Sequence, residues 1–156
     1  MNEKNTERVE SFTLDHTKVK APFVRKCTVL KGEKGDTVTK YDIRFMQPNC
    51  EEMQSDGLHT LEHLLATYLR EYTDNIIDLS PMGCRTGFYL TVWGEPEPSE
   101  IAKKVTMALN DVLKSEEIPA ENPIQCGNYR LHNLGLAKEY AAGVLKKGLS
   151  DKFYAE

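Results

Sequence analysis

Thr37-Val38-Thr39-Lys40-Tyr41-Asp42-Ile43-Arg44-Phe45-Met46-Gln47 is the stretch that decides the fold. Tyr41, Ile43 and Phe45 alternate with Lys40, Asp42 and Arg44, the period-two pattern of a half-buried antiparallel strand. Residues 19–30 read as a second strand, and the polar, glycine-punctuated Lys31-Gly32-Glu33-Lys34-Gly35-Asp36 joins the two as a hairpin. Pro48-Asn49 stops the strand. Ser55 or Asp56 then caps a helix expected over 58–72, with Leu61, Leu64, Leu65, Tyr68 and Leu69 as its apolar stripe.

Further along, residues 76–79 form a short strand ended by Ser80-Pro81-Met82-Gly83, and residues 86–93 a well-buried one. Gly94-Glu95-Pro96-Glu97-Pro98 is a stiff connection to a helix over 100–114 under a Ser99 cap. Its inward residues are Ile101, Val105, Ala108, Leu109, Val112 and Leu113. Pro119, Pro123 and Gly127 make 118–130 a loop, and a last helix is expected over 134–149. The sum is an α+β fold, a single domain over residues 1–156, with helices packed on a mainly antiparallel sheet.

Composition suits that reading. A chain of 156 residues is the size of one domain, and a 40% hydrophobic content supplies one core without a metal or disulfide staple. The net charge of −4, with no basic or aromatic cluster, argues against a nucleic-acid partner. Residues 1–10 hold no apolar core of a secretory signal, and no apolar run approaches the roughly 18 residues of a membrane span. The expected location is therefore the cytoplasm, where Cys27, Cys50, Cys84 and Cys126 are free thiols.

His59-Thr60-Leu61-Glu62-His63 is the informative motif. Side chains three and four apart share a helix face, so both imidazoles reach one ion and Glu62 projects beside it. Two of only four histidines in the chain fall at this spacing, which makes chance pairing of surface residues the weaker reading. A catalytic metal of this kind takes three protein ligands and keeps one position open. Cys126, in a loop beside Gly127, and Cys84, after Pro81-Met82-Gly83 and before Arg85, contend equally for the third place. Cys84 also qualifies as a general base, since a cation and a metal favour its thiolate. Cys27, at an apolar strand position, and Cys50, in a polar loop, read as structural or incidental.

Taken together, Glu10-Ser11-Phe12-Thr13-Leu14-Asp15-His16, Tyr41-Asp42-Ile43-Arg44-Phe45, His59-Thr60-Leu61-Glu62-His63, Ser80-Pro81-Met82-Gly83-Cys84-Arg85-Thr86-Gly87 and Cys126-Gly127-Asn128 resemble the S-ribosylhomocysteine lyase family, LuxS, of bacterial autoinducer-2 synthesis. The segments span nearly the whole chain in family order. The resemblance implies that His59, His63 and Cys126 bind the metal, with Fe²⁺ expected and zinc or cobalt able to substitute. It implies Cys84 and Glu62 as the acid/base pair. It also implies Ser11, His16, Arg44 and Asp78 as substrate-binding residues, in a pocket that two subunits of a homodimer share. The implied substrate is the small molecule S-ribosylhomocysteine, whose thioether is cleaved by carbonyl migration and β-elimination. Read alone, Arg44 is a partner for the homocysteine carboxylate or a solvated strand residue.

Two other classes fit part of the pattern. A metallopeptidase of the inverted-zincin type shares His-x-x-Glu-His and takes a downstream glutamate, for which Glu139 is available. A non-catalytic module would close its metal with a fourth ligand, Cys84.

Overall fold

In the computed structural model, which describes residues 3–155, four strands form one antiparallel sheet. They are β1 (Phe23–Lys31), β2 (Thr37–Arg44), β3 (Ile76–Pro81) and β4 (Gly87–Trp93), in the order β1-β2-β4-β3. The hairpin between β1 and β2 pairs Lys31 with Thr37, and Gly35 turns the chain there at φ +87°. The helices are α1 (Glu3–Thr6), α2 (Glu10–Thr13), α3 (Ser55–Tyr68), α4 (Pro98–Lys114) and α5 (Leu134–Lys147). The α+β arrangement is the one read from the alternation.

The longer helices, α3, α4 and α5, bury one face of the sheet. Val24, Tyr41, Ile43, Phe88, Leu90 and Val92 meet Leu61, Leu64, Leu65, Val105, Leu109, Val112, Ala141 and Val144 in one core. Gly57 brings α3 against α5, since a Cβ there would lie 2.7 Å from the Tyr140 ring. Asn133 caps α5 by accepting from the Leu136 N–H, and its amide reaches Asp56 at 3.2 Å. The first turns of α3 and α5 are thereby held together, which matters for the site.

Several boundaries depart from the sequence expectation. The first strand starts at Phe23, not residue 19; Val19 makes an isolated bridge with Tyr154 instead. The second ends at Arg44, because the N–H groups of Phe45 and Met46 both turn to the Thr86 carbonyl. Position N-cap of α3 is Gln54, without a side-chain cap, so neither Ser55 nor Asp56 serves. A 3-10 turn, Leu69–Glu71, carries that helix towards residue 72. Ser80 and Pro81 extend β3, an edge strand, where a missing N–H costs no ladder bond. Pro98 starts α4 in place of a Ser99 cap, and Leu113 is 39% exposed rather than inward. Residues 118–130 carry no helix or strand, as read.

Candidate metal centre and acid/base groups

His59 and His63 stand one turn apart on α3, with ring centroids 4.7 Å apart. Each is aimed by the loop that follows α4. The Nδ1 of His59 donates to the Leu131 carbonyl at 2.6 Å, and that of His63 to the Pro119 carbonyl at 2.7 Å. A carbonyl only accepts, so both protons sit on Nδ1 and both Nε2 lone pairs are free for a metal. The same loop brings Cys126 Sγ to 3.5 Å from His59 Nε2. It does not bring Cys84.

A fourth donor is also there. His132 stacks on His59 with centroids 4.0 Å apart, and its Nε2 lies 3.8 Å from Cys126 Sγ. The donor atoms of His59, His63, Cys126 and His132 all lie within 4.8 Å of one another, a group that could hold a metal ion. Two imidazoles and a thiolate suit iron, zinc or cobalt, so the residues fit the metal that the chain's motifs imply. Sequence reasoning missed His132. The available signal was a histidine soon after Cys126, in the loop already suspected of carrying a ligand. Burial, and after it the neighbouring His59 and His63, lowers His132 to about 4.

Glu62 lies on the same helix. Burial pushes its carboxyl up, against the pull of His63 and His59, and Asp78 adds to the rise. Such a carboxyl both gives and takes protons closer to neutrality than an exposed one. Asp78, exposed on β3, also accepts from the Ser80 hydroxyl.

Cys84 belongs to a second group. Its Sγ lies 3.0 Å from Thr86 Oγ1, which in turn accepts from Arg44 Nη1 at 3.1 Å. Arg44 also holds Asp42 with two bonds, Nε to Oδ1 at 3.0 Å and Nη2 to Oδ2 at 2.7 Å. Arg25 joins Asp42 at 3.2 Å and pairs with Glu10. Asp42 is 0% exposed and Arg44 2%, so the face expected to be solvated is buried. Burial works against the Arg44 charge, and Asp42 more than offsets it. Arg85, the cation next to Cys84 in sequence, turns away to Glu52 at 2.9 Å. The cation that reaches towards Cys84 is Arg44, by way of Thr86.

The remaining candidates are dispersed. Ser11, on α2, sits beside Tyr89 and partly counters the effect of burial on that phenol. His16 Nδ1 donates to the Leu14 carbonyl at 2.8 Å and leaves Nε2 free. Glu139 borders a cleft with Glu51, Glu52 and Lys147, and is not among the four metal donors. Cys27 lies at a bulge in β1, where burial pushes its thiol up to about 12. Cys50 is exposed.

Comparison with known proteins bears on these groups. The family model described as S-Ribosylhomocysteinase (LuxS) matches residues 9–154. An S-ribosylhomocysteine lyase of Clostridioides difficile (strain 630) is 59% identical over 150 residues, covering 96% of this chain and 99% of that protein. One from Clostridium perfringens (strain SM101 / Type A) is 56% identical, covering 96% and 99%. One from Lactobacillus acidophilus (strain ATCC 700396 / NCK56 / N2 / NCFM) is 52% identical, covering 92% and 94%.

Proposed function

The chain belongs to the S-Ribosylhomocysteinase (LuxS) family, and from that premise we propose that it is a metal-dependent carbon–sulfur lyase. It splits S-ribosyl-L-homocysteine into L-homocysteine and 4,5-dihydroxy-2,3-pentanedione, the precursor of autoinducer-2. The observation that carries this is the gathering of His59, His63 and Cys126 ligand atoms within 4.8 Å of one another, His59 Nε2 lying 3.5 Å from the Cys126 sulfur, with Glu62 on the same helix.

In this reading His59, His63 and Cys126 hold one divalent ion, Fe²⁺ by family expectation. When bound, that ion supplies Lewis-acid stabilisation of negative charge on the sugar oxygens. Cys84 takes a proton from one sugar carbon and returns it to the next. Glu62 moves protons among the oxygens, a task that its raised pKa suits. Two such shifts carry the carbonyl from C1 to C3. Loss of the C4 proton then expels the homocysteine thiolate from C5, and the resulting enol takes a proton at C5 to become the dione. Atoms balance between substrate and products, with no net oxidation.

Ser11, His16, Arg44 and Asp78 are assigned to the substrate. Arg44 is already committed to Asp42 and Thr86, so its support for Cys84 is as well founded as a contact with the homocysteine carboxylate. Glu62 keeps company with the metal donors and Asp78, whereas Cys84 keeps company with Thr86 and Arg44. A pocket shared between two subunits of a homodimer accommodates both groups. Residues 1–156 act as one lyase-like domain in the cytoplasm; no described helix is long and apolar enough to cross a membrane.

Thiol release from S-ribosylhomocysteine by the anaerobically iron-loaded chain tests the reading. Stoichiometric homocysteine is expected, with none after chelation. New amino termini from a peptide mixture, with no thiol release, would replace the lyase by a peptidase. Sedimentation of the purified chain at twice its monomer mass is the expected result for the homodimer.

A further inference from the structure

Three histidines crowd Cys126, yet their Nδ1 atoms face different chemistry. In His59 and His63 each Nδ1 meets a backbone carbonyl, which can only accept. In His132 it meets the Thr60 hydroxyl at 2.9 Å. Thr60 is 0% exposed, and its Oγ1 already accepts the Asn133 N–H at 2.8 Å. The hydroxyl has one proton to place. Thr67 and Thr106, also on helices, donate theirs to the carbonyl four residues back, His63 and Ala102. Thr60 makes no such bond among the described residues, and His132 Nδ1 is the acceptor left to it. The opposite direction would strand a buried hydroxyl proton, which folded proteins rarely keep. Nδ1 of His132 is therefore an acceptor, and its ring proton sits on Nε2.

That Nε2 faces Cys126 Sγ at 3.8 Å, while the stack on His59 holds the ring in plane. We propose that His132 is a positioning residue that donates Nε2–H to the Cys126 sulfur, with Thr60 locking the tautomer, and that it is not a fourth metal ligand. The inference rests on the metal-centre reading above. A donor at this place draws charge off the sulfur and orients it, as partners of metal ligands commonly do. It also leaves the centre with three protein ligands and an open position, the form a catalytic metal needs.

Long-range ¹H–¹⁵N NMR of the zinc-loaded full chain reads the tautomers directly. His132 is expected to carry its proton on Nε2, and His59 and His63 on Nδ1. A His132 protonated on Nδ1 with zinc on Nε2 overturns the proposal, and this arm needs no variant to fold. Cobalt absorption supplies the second arm. His132→Ala should still take up one Co²⁺ per chain, roughly 10- to 100-fold more weakly, with the sulfur-to-cobalt band moved to longer wavelength. His132→Gln, which restores an N–H near the same point, should move the band back. Loss of cobalt as complete as in Cys126→Ala makes His132 a ligand and overturns the proposal. An unmoved band removes the contact with sulfur and overturns it too. If the unaltered chain takes up neither zinc nor cobalt, it is the metal-centre reading that fails, and the inference falls with it.

Discussion

Of the four side chains gathered at the candidate metal centre, two come from a single turn of α3 and two from one loop, whereas the group behind Cys84 draws on four separate segments. Glu10 lies on α2, Arg25 on β1, Asp42 and Arg44 on β2, and Thr86 just before β4. The four at the candidate centre need only a helical period and one docked loop to meet. The Arg44 group needs the sheet paired in register, with Arg44 opposite Gly87 and Arg25 opposite Asp42. Gly87 permits that pairing, since a Cβ there would lie 2.1 Å from the Ile43 carbonyl. Functional residues brought together by a local repeat can be read from a chain; those brought together by register cannot.

The comparison breaks most visibly at the two cysteines. Cys126→Ala should lose its metal, read by elemental analysis, and with it nearly all lyase activity. Cys84→Ala should keep a full metal complement while kcat/KM falls by about 10²- to 10⁴-fold, the usual share of a general base. A Cys84→Ala protein with unchanged turnover would take Cys84 out of the mechanism, and a metallated Cys126→Ala would reopen the third ligand.

Next in size is Asp42→Asn. It leaves Arg44 and Arg25 buried without their shared carboxylate, so a loss of about 3–5 kcal/mol in urea unfolding is expected. A loss under about 1 kcal/mol would mean that the buried charges are matched some other way. Gly57→Ala should cost about 1–3 kcal/mol by prising α3 from α5. Because Thr60 and Asn133 sit at that junction, weaker metal binding should accompany the loss; Gly57→Ala with native metal affinity would show the centre to be independent of the helix contact.

The smallest effect concerns pH. The native fold holds the Cys27 and Tyr41 protons to about 12, above their ordinary values, because burial disfavours the charged forms. The unfolded chain releases these protons first, so stability from this source is complete below the ordinary cysteine pKa and declines as pH rises towards 12. Tm should fall between about pH 8 and pH 10, and Cys27→Val should reduce the slope.

Much of this was legible beforehand. The strands, the three longer helices and the His59/His63 pair all followed from periods of two and of 3.6 residues. Three particulars did not. Asp42 and Arg44 look like a solvated face, since alternation tells which residues share a side and not what covers that side. Arg85 looks like the cation near Cys84, yet it turns to Glu52 while Arg44 arrives from another strand. His132 lies in a segment with no period, so nothing local announced that its ring would stack on His59.

The sequence by itself determined the elements, the antiparallel sheet and the helical pair of candidate metal donors, because each depends on spacing within one segment. Tertiary structure put the Cys126 sulfur beside that pair, the cysteine the family resemblance had implied, and it alone decided which arginine stands behind the other cysteine and which partners the histidine nitrogens meet. Those depend on what lies across a contact: Leu131 and Pro119 carbonyls for two rings and the Thr60 hydroxyl for the third. The physical reason is that a hydrogen bond's direction is set by its partner, and the partners here come from residues far away along the chain.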